Sequence, residues 1–66
     1  MINFKIYNMN NFEMIALKRT KEEALSFSNS KDNINKRIMI VKHDSENGDE
    51  IINRITGESY FKEKKL

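Results

Sequence analysis

The start of a helix at Thr20 is the feature that most constrains the fold, because it separates two regions that have the patterns of strands. The Thr20 hydroxyl can accept a hydrogen bond from the backbone N–H of Glu23, whose side chain can reach back to the N–H of Thr20. Short polar side chains follow from Ser26 onward and compete for backbone hydrogen bonds, which weakens the helix. The sequence therefore predicts one short helix that begins after Thr20 and ends between residues 29 and 33.

The segment before the helix has the pattern of a hairpin. Apolar and polar residues alternate from Met1 to Tyr7, which is the period of a half-buried strand. Residues 8–11 then favour a turn, and their asparagines tolerate a left-handed backbone. Residues 12–18 are predicted to form the second strand, with Ile15 and Leu17 on one face.

The segment after the helix is predicted to contain three strands. Residues 38–41 are apolar in succession, a pattern typical of a central strand covered on both faces, and this strand is predicted over residues 37–43. The Asn47-Gly48 pair favours a tight hairpin turn, because it supplies the positive φ angles that such turns need. The remaining predicted strands are 50–55 and 59–61, separated by a turn at Thr56-Gly57.

The predicted order of elements is β-β-α-β-β-β, an α+β fold with one short helix packed on a mainly antiparallel sheet. The 66 residues are expected to form a single small domain (1–66), of which residues 62–66 form a frayed tail. Because the chain has no cysteine, apolar packing alone must hold the core, and at this size it supplies about 3–5 kcal/mol. Self-association would add to that stability, so a homodimer is an alternative to a monomer.

Composition and charge exclude some classes of protein. No apolar run approaches the roughly 20 residues that span a bilayer, and no signal-peptide pattern is present, so the chain is predicted to be cytoplasmic and to bind no membrane. The formal net charge of +2 is too balanced to indicate nucleic acid by itself. The absence of proline and the many Asn, Lys and Ile residues resemble the composition of small phage and mobile-element proteins.

No catalytic, cofactor or metal site is predicted. His43, Asp44 and Ser45 are the residue types of a hydrolase triad, but on an extended strand Asp44 points away from the other two. The two glycines are isolated in turns, so no phosphate-binding loop is present. Four carboxylates lie near residue 47, on Asp44, Glu46, Asp49 and Glu50. Their spacing does not match that of a calcium-binding EF-hand loop. The protein is therefore predicted not to be an enzyme.

Nucleic-acid binding is the alternative hypothesis. It requires basic side chains from the first hairpin, the helix exit and the tail to converge beside an aromatic ring that can stack on a base. The acidic segment 44–50 would repel phosphate if it shared that face. The candidate nucleic-acid-binding residues are Lys5, Tyr7, Lys18, Arg19, Lys36, Arg37, Lys62, Lys64 and Lys65.

Protein binding is the preferred hypothesis, with the chain acting as an accessory or inhibitory factor that sterically occupies a partner's site. The acidic hairpin would steer the approach of the partner, and an exposed face would supply the contacts. One member of the Tyr60-Phe61 pair is expected to be exposed, the alternative being that all the apolar residues of these strands are core. The candidate protein-binding residues are Asp44, Glu46, Asp49, Glu50, Ile52, Arg54 and Tyr60.

Overall fold

Five strands and one helix form the fold, in the predicted order. The computed structural model describes residues 1–63, with the side chains of residues 1–61. The elements are β1 (Ile2–Asn8), β2 (Glu13–Lys18), α1 (Lys21–Ser28), β3 (Ile38–Asp44), β4 (Gly48–Ile52) and β5 (Ser59–Glu63). The prediction of a small α+β domain with one short helix and a mainly antiparallel sheet is confirmed.

The strands form one sheet in the order β2-β1-β3-β4-β5, and every neighbouring pair is antiparallel. The chain makes a hairpin from β1 and β2, crosses over through α1, and returns as a meander from β3 to β5. The apolar strand β3 lies in the middle of the sheet, as predicted. The helix packs against β1 and β2.

Local hydrogen bonds fix the two ends of α1. The backbone N–H of Glu23 donates to the Thr20 hydroxyl over 3.2 Å, so Thr20 caps the helix as predicted. The Glu23 carboxylate accepts from the Thr20 hydroxyl over 3.1 Å. The helix ends at Ser28, one residue before the predicted range, with Asn29 as its C-cap.

The core lies on one face of the sheet, between the strands and α1. The register pairs Ile6 with Ile40 and Ile40 with Ile52, and residues paired across antiparallel strands share a face. Ala24 approaches this layer from the helix. The buried core is Phe4, Ile6, Ala24, Ile40 and Ile52.

An irregularity in β2 overturns the predicted faces of the second strand. The register shifts where Ile6 pairs with Ala16 and Tyr7 pairs with Met14, which leaves Ile15 as the extra residue of a β-bulge. Ile15 and Ala16 therefore both pack against the core, while Leu17 is 55% exposed on the other face. The prediction that Ile15 and Leu17 share a face is wrong, because a bulge breaks the alternation of side chains.

The three hairpin turns use positive φ angles at Phe12, Gly48 and Gly57. In the first turn Phe12, at φ 60°, takes the left-handed conformation that was expected of an asparagine. Asp44 pairs with Gly48 across a three-residue turn, and Gly48 at φ 91° supplies the left-handed residue that follows such a turn.

The β4–β5 connection begins earlier than predicted, because the Asn53 side chain closes a turn. Its Oδ1 atom accepts from the backbone N–H groups of Ile55 and Thr56, which ends β4 at Ile52 rather than at Ile55. Strand β5 continues through Lys62 and Glu63, two residues beyond the predicted strand. The rest of the predicted frayed tail, residues 64–66, lies outside the described residues.

Candidate functional site

The second face of the sheet, opposite α1, is lined mainly by apolar side chains. The register aligns Leu17, Lys5, Val41, Ile51 and Phe61 in one row that crosses all five strands. A second row follows through Met14, Tyr7 and Met39. We call this surface the open face; its members are Lys5, Tyr7, Met14, Leu17, Met39, Val41, Ile51 and Phe61, with Asn3, His43 and Asp49 at one end.

The open face has no covering element within residues 1–63. Its central side chains shield one another and are half-buried, whereas Phe61 and Leu17 at the edges are 54% and 55% exposed. A shallow depression of about 240 Å³ lies between Tyr7, Val41, Ile51 and Phe61. The prediction that the central strand is covered on both faces is therefore wrong for the described residues, since the helix covers one side of it.

The open face also carries a hydrogen-bonded polar pair. His43 on β3 and Asp49 on β4 are directly opposite one another, and the Nδ1 atom of His43 lies 2.6 Å from Oδ1 of Asp49. Both side chains are more than a third exposed, at 37% and 41%. Sequence reasoning missed this pair because it sought a partner for His43 at Asp44, its neighbour in the chain, rather than across the turn.

The acidic hairpin does not present its four carboxylates as one cluster. Asp44 closes the turn, where its carboxylate accepts from the Glu46 N–H over 2.9 Å and from the Asn47 side chain over 2.8 Å. The bond from the Asn47 side chain, followed by that from the Glu46 N–H, lowers the pKa of Asp44 from 3.8 to about 2. Asp49 pairs with His43, and Glu50 accepts from the Ser59 hydroxyl over 2.6 Å. Glu46 is exposed at the tip.

The predicted contact residues after the hairpin lie in different environments. Ile52 is 4% exposed and belongs to the core, so the prediction that it lies on an exposed face is wrong. Arg54 donates to the backbone carbonyls of residues 33, 34 and 36, with its shortest bonds to Ile34 at 2.7 Å and Lys36 at 2.5 Å. Its guanidinium therefore ties the loop after α1 to the β4–β5 connection. Tyr60 and Phe61 are both more than half exposed, at 63% and 54%.

Tyr60 lies away from the open-face row, in a groove at one end of the sheet. This groove has a volume of about 550 Å³, and Ile34, Arg54 and Ile55 also line it. Ile55 is 83% exposed at its rim. The exposed aromatic pair therefore divides between two surfaces: Phe61 on the open face and Tyr60 in the end groove.

The predicted basic residues do not converge. Lys5 lies on the open face, while Lys18 pairs with Phe4 on the helix side and its ammonium lies 5.0 Å from the centre of the Phe27 ring. Arg19 follows β2 at one end of the sheet, whereas residues 36 and 37 precede β3 at the opposite end, where Ile38 pairs with Asn8. The Lys36 ammonium donates to the Asn33 side chain over 3.0 Å. Tyr7 lies beside Lys5 on the open face, and the side chains of Lys62, Lys64 and Lys65 lie outside the described part of the chain.

Residues 1–63 contain neither a cluster of metal-ligand side chains nor a membrane-spanning helix. No three side chains of the types His, Cys, Asp and Glu in this part come together as metal ligands would. The described helix is too short to cross a bilayer.

Comparison with known proteins gives no family for the chain. No protein-family model matches it, and it has no significant match among curated proteins or solved structures.

Proposed function

We propose that the chain is a small, non-enzymatic protein-binding module whose open face packs against the surface of another protein. The observation that carries this proposal is the one-sided sheet: the helix and the core occupy one face, and the two central rows of the other face are apolar except for Lys5, where a solvated antiparallel sheet would carry mainly polar residues. A contiguous apolar surface that is exposed to solvent in the isolated chain is typical of protein-interaction sites. Phe61 and Tyr7 are the aromatic anchors expected of such a site.

Contact through the open face suits an accessory or inhibitory factor that acts by steric occupation. Such a factor needs a rigid surface rather than an enclosed pocket, and the open face is built on five strands of one hydrogen-bonded sheet. In this proposal, Glu46 is the hairpin carboxylate that attracts the partner electrostatically. The other three carboxylates are engaged within the fold: Asp44 and Glu50 accept hydrogen bonds, and Asp49 pairs with His43. The cytoplasmic location and the origin in a phage or mobile element stay predictions.

Nucleic-acid binding is not favoured by the geometry. A phosphate-binding surface needs several cations along one track, and the described basic residues occupy two faces and two ends of the sheet. Steep, salt-sensitive binding of unrelated DNA or RNA to the purified chain would overturn this preference.

Adjacent aromatic residues allow a matched test of the proposal. Phe61 and Tyr60 are similarly exposed, but only Phe61 lies in the open-face row. The tagged chain, its Phe61→Ser variant and its Tyr60→Ser variant serve as baits in extracts of cells that express the chain. We expect Phe61→Ser to lose the bound protein and Tyr60→Ser to retain it. Retention by both variants would refute the open face as the binding surface.

A further inference from the structure

Among the side chains of residues 1–61, the open face carries one lysine and one carboxylate, on opposite sides of its central strand. Lys5 lies on β1 and Asp49 lies on β4, and both strands pair with β3. The immediate cross-strand neighbours of Lys5 are the apolar Leu17 and Val41, and Lys5 has no ion pair within the described residues. Covering this face with a purely apolar surface would bury an ammonium group without a partner, which is costly. A covering surface that presents a carboxylate within reach of Lys5 would satisfy this charge best.

A second copy of the chain provides such a carboxylate through a single symmetry operation. A two-fold axis that runs along β3, between two open faces, places β1 of each copy over β4 of the other. Lys5 then lies over the row that contains Ile51 of the second copy. Asp49 is two residues further along the same strand, about 7 Å away, which is within reach of a long lysine side chain. The pair forms twice, once on each side of the axis.

We infer that, in the absence of another partner, the open face is covered by the open face of a second copy, with Lys5 of each copy paired to Asp49 of the other. This inference rests on the proposed function, because it uses the same surface, but it names the occupant. Val41 on β3 meets its equivalent on the axis, Ile51 lies against the aliphatic stem of Lys5 of the other copy, and the aromatic rings of Tyr7 and Phe61 close the apolar layer. His43 keeps its bond to Asp49 and so holds that carboxylate in position for the lysine.

The size of the face predicts a weak dimer. Five strands about 4.8 Å apart, with roughly 17 Å of paired length, give a face of about 400 Å² in projection. Two copies would then bury about 800–1,000 Å², below the 1,200–2,000 Å² of standard stable interfaces. We therefore expect a dissociation constant in the micromolar range or weaker, so that monomer and dimer both exist at accessible concentrations.

Charge reversal tests the pairing of Lys5 with Asp49 directly. Each reversed variant alone should associate more weakly than the native chain, whereas a mixture of the two variants should associate again. Lys5→Glu places a second carboxylate against Asp49, and Asp49→Lys places a second ammonium group against Lys5, so each variant alone meets like charge twice. An equimolar mixture of the two variants forms a heterodimer in which one of the two contacts pairs the introduced carboxylate with the introduced ammonium group. Sedimentation equilibrium at low salt from about 10 μM to 1 mM measures the association. Lys21→Glu and Glu58→Lys make the same charge changes at exposed sites on the helix side of the sheet and serve as controls.

The second contact of that heterodimer also joins opposite charges, because it pairs the unchanged Asp49 of the Lys5→Glu chain with the unchanged Lys5 of the Asp49→Lys chain. We expect each reversal alone to weaken self-association at least about tenfold, as like charges in an interface do. The mixture should associate within about threefold of the native chain, and the two controls should behave as the native chain does. Rescue in the mixture cannot come from a folding defect in either variant. A native chain that stays monomeric at 1 mM, or a mixture that associates no better than its components, overturns the inference.

The outcome separates this inference from the proposed function. A chain that stays monomeric while Phe61→Ser still loses its captured protein would refute the second copy as occupant and leave the open face as the binding surface. If Phe61→Ser also keeps its captured protein, both proposals fall.

Discussion

Replacing Ile51 and Ile52 separately by alanine measures how differently the two faces of the sheet are covered. The residues are adjacent in β4, so the loss of strand propensity is the same for both. Ile52 is 4% exposed in the core, whereas Ile51 is half-buried and pairs with Val41 on the open face. Any difference between the two variants therefore reports on the packing of the two faces.

The expected magnitudes follow from burial and from cavity formation. Full burial of the carbons that alanine lacks contributes about 2.4 kcal/mol, at about 0.8 kcal/mol for each methylene. Ile52→Ala also leaves a cavity that the core closes only in part, which raises its cost to about 3–4 kcal/mol. Ile51→Ala opens to solvent and leaves no closed cavity, so we expect a loss of about 1–2 kcal/mol. The difference of about 2 kcal/mol corresponds to a factor of about 30 in the unfolding equilibrium.

Urea unfolding followed by circular dichroism, at micromolar concentration to limit self-association, measures both variants. A total stability of about 3–5 kcal/mol leaves Ile52→Ala close to its unfolding midpoint in water. The Ile51→Val and Ile52→Val variants therefore provide a milder pair, in which only the core position should lose about 1 kcal/mol. Equal losses at the two positions, or a greater loss at Ile51, would refute the one-sided packing.

Three further predictions follow from single sites. Gly57→Ala should lose about 1–3 kcal/mol in urea unfolding, because φ is +76° and the added Cβ would lie 3.0 Å from Cδ1 of Leu25; an unchanged midpoint would contradict this. Ser28→Ala should raise the thermal midpoint, since the fully buried Ser28 hydroxyl has no hydrogen-bond partner among the described residues, and alanine favours the helix; a lower midpoint would show that the hydroxyl is satisfied. The Asp44 carboxyl should titrate near pH 2 when its side-chain carbon is followed by NMR. Because the pKa of Asp44 is lower in the folded state than in the unfolded state, its contribution to stability is complete above about pH 4–5 and is lost as the pH falls through 2. A measured pKa near 3.8 would contradict the turn hydrogen bonds.

Features that depend on neighbouring residues could be predicted from the sequence. The Thr20 cap, the polar residues that end α1 and the Asn47-Gly48 turn all act within a few positions of the chain. These local signals were enough to give the order of elements, because each strand was bounded by a turn. The middle position of β3 followed from its continuous apolar run.

The faces of β2 and β4 could not be predicted in this way, because they depend on contacts between distant residues. The bulge at Ile15 exists only in the pairing of β2 with β1, and it changes which side chains reach the core. The choice between Ile51 and Ile52 for the core depends on the register of β4 against β3. A shift of one residue would exchange their faces, and no local pattern in residues 50–55 fixes that register.

The roles of the charged residues were also beyond sequence reasoning. Arg54 looked like a surface cation, but its guanidinium satisfies backbone carbonyls of the loop after α1. Asp49 looked like one of four equivalent hairpin carboxylates, but its position opposite His43 places it on the open face. Both roles depend on which face a side chain occupies after folding.

Methyl NMR with a soluble paramagnetic gadolinium complex tests most directly whether the open face is an available association surface. At low protein concentration, the methyl groups of Val41 and Ile51 should relax much faster than those of Ile40 and Ile52. As the concentration rises toward 1 mM, Val41 and Ile51 should become protected while Ile40 and Ile52 stay unchanged. Equal protection of all four residues in the dilute sample would mean that both faces are already covered within the chain, and it would contradict the account.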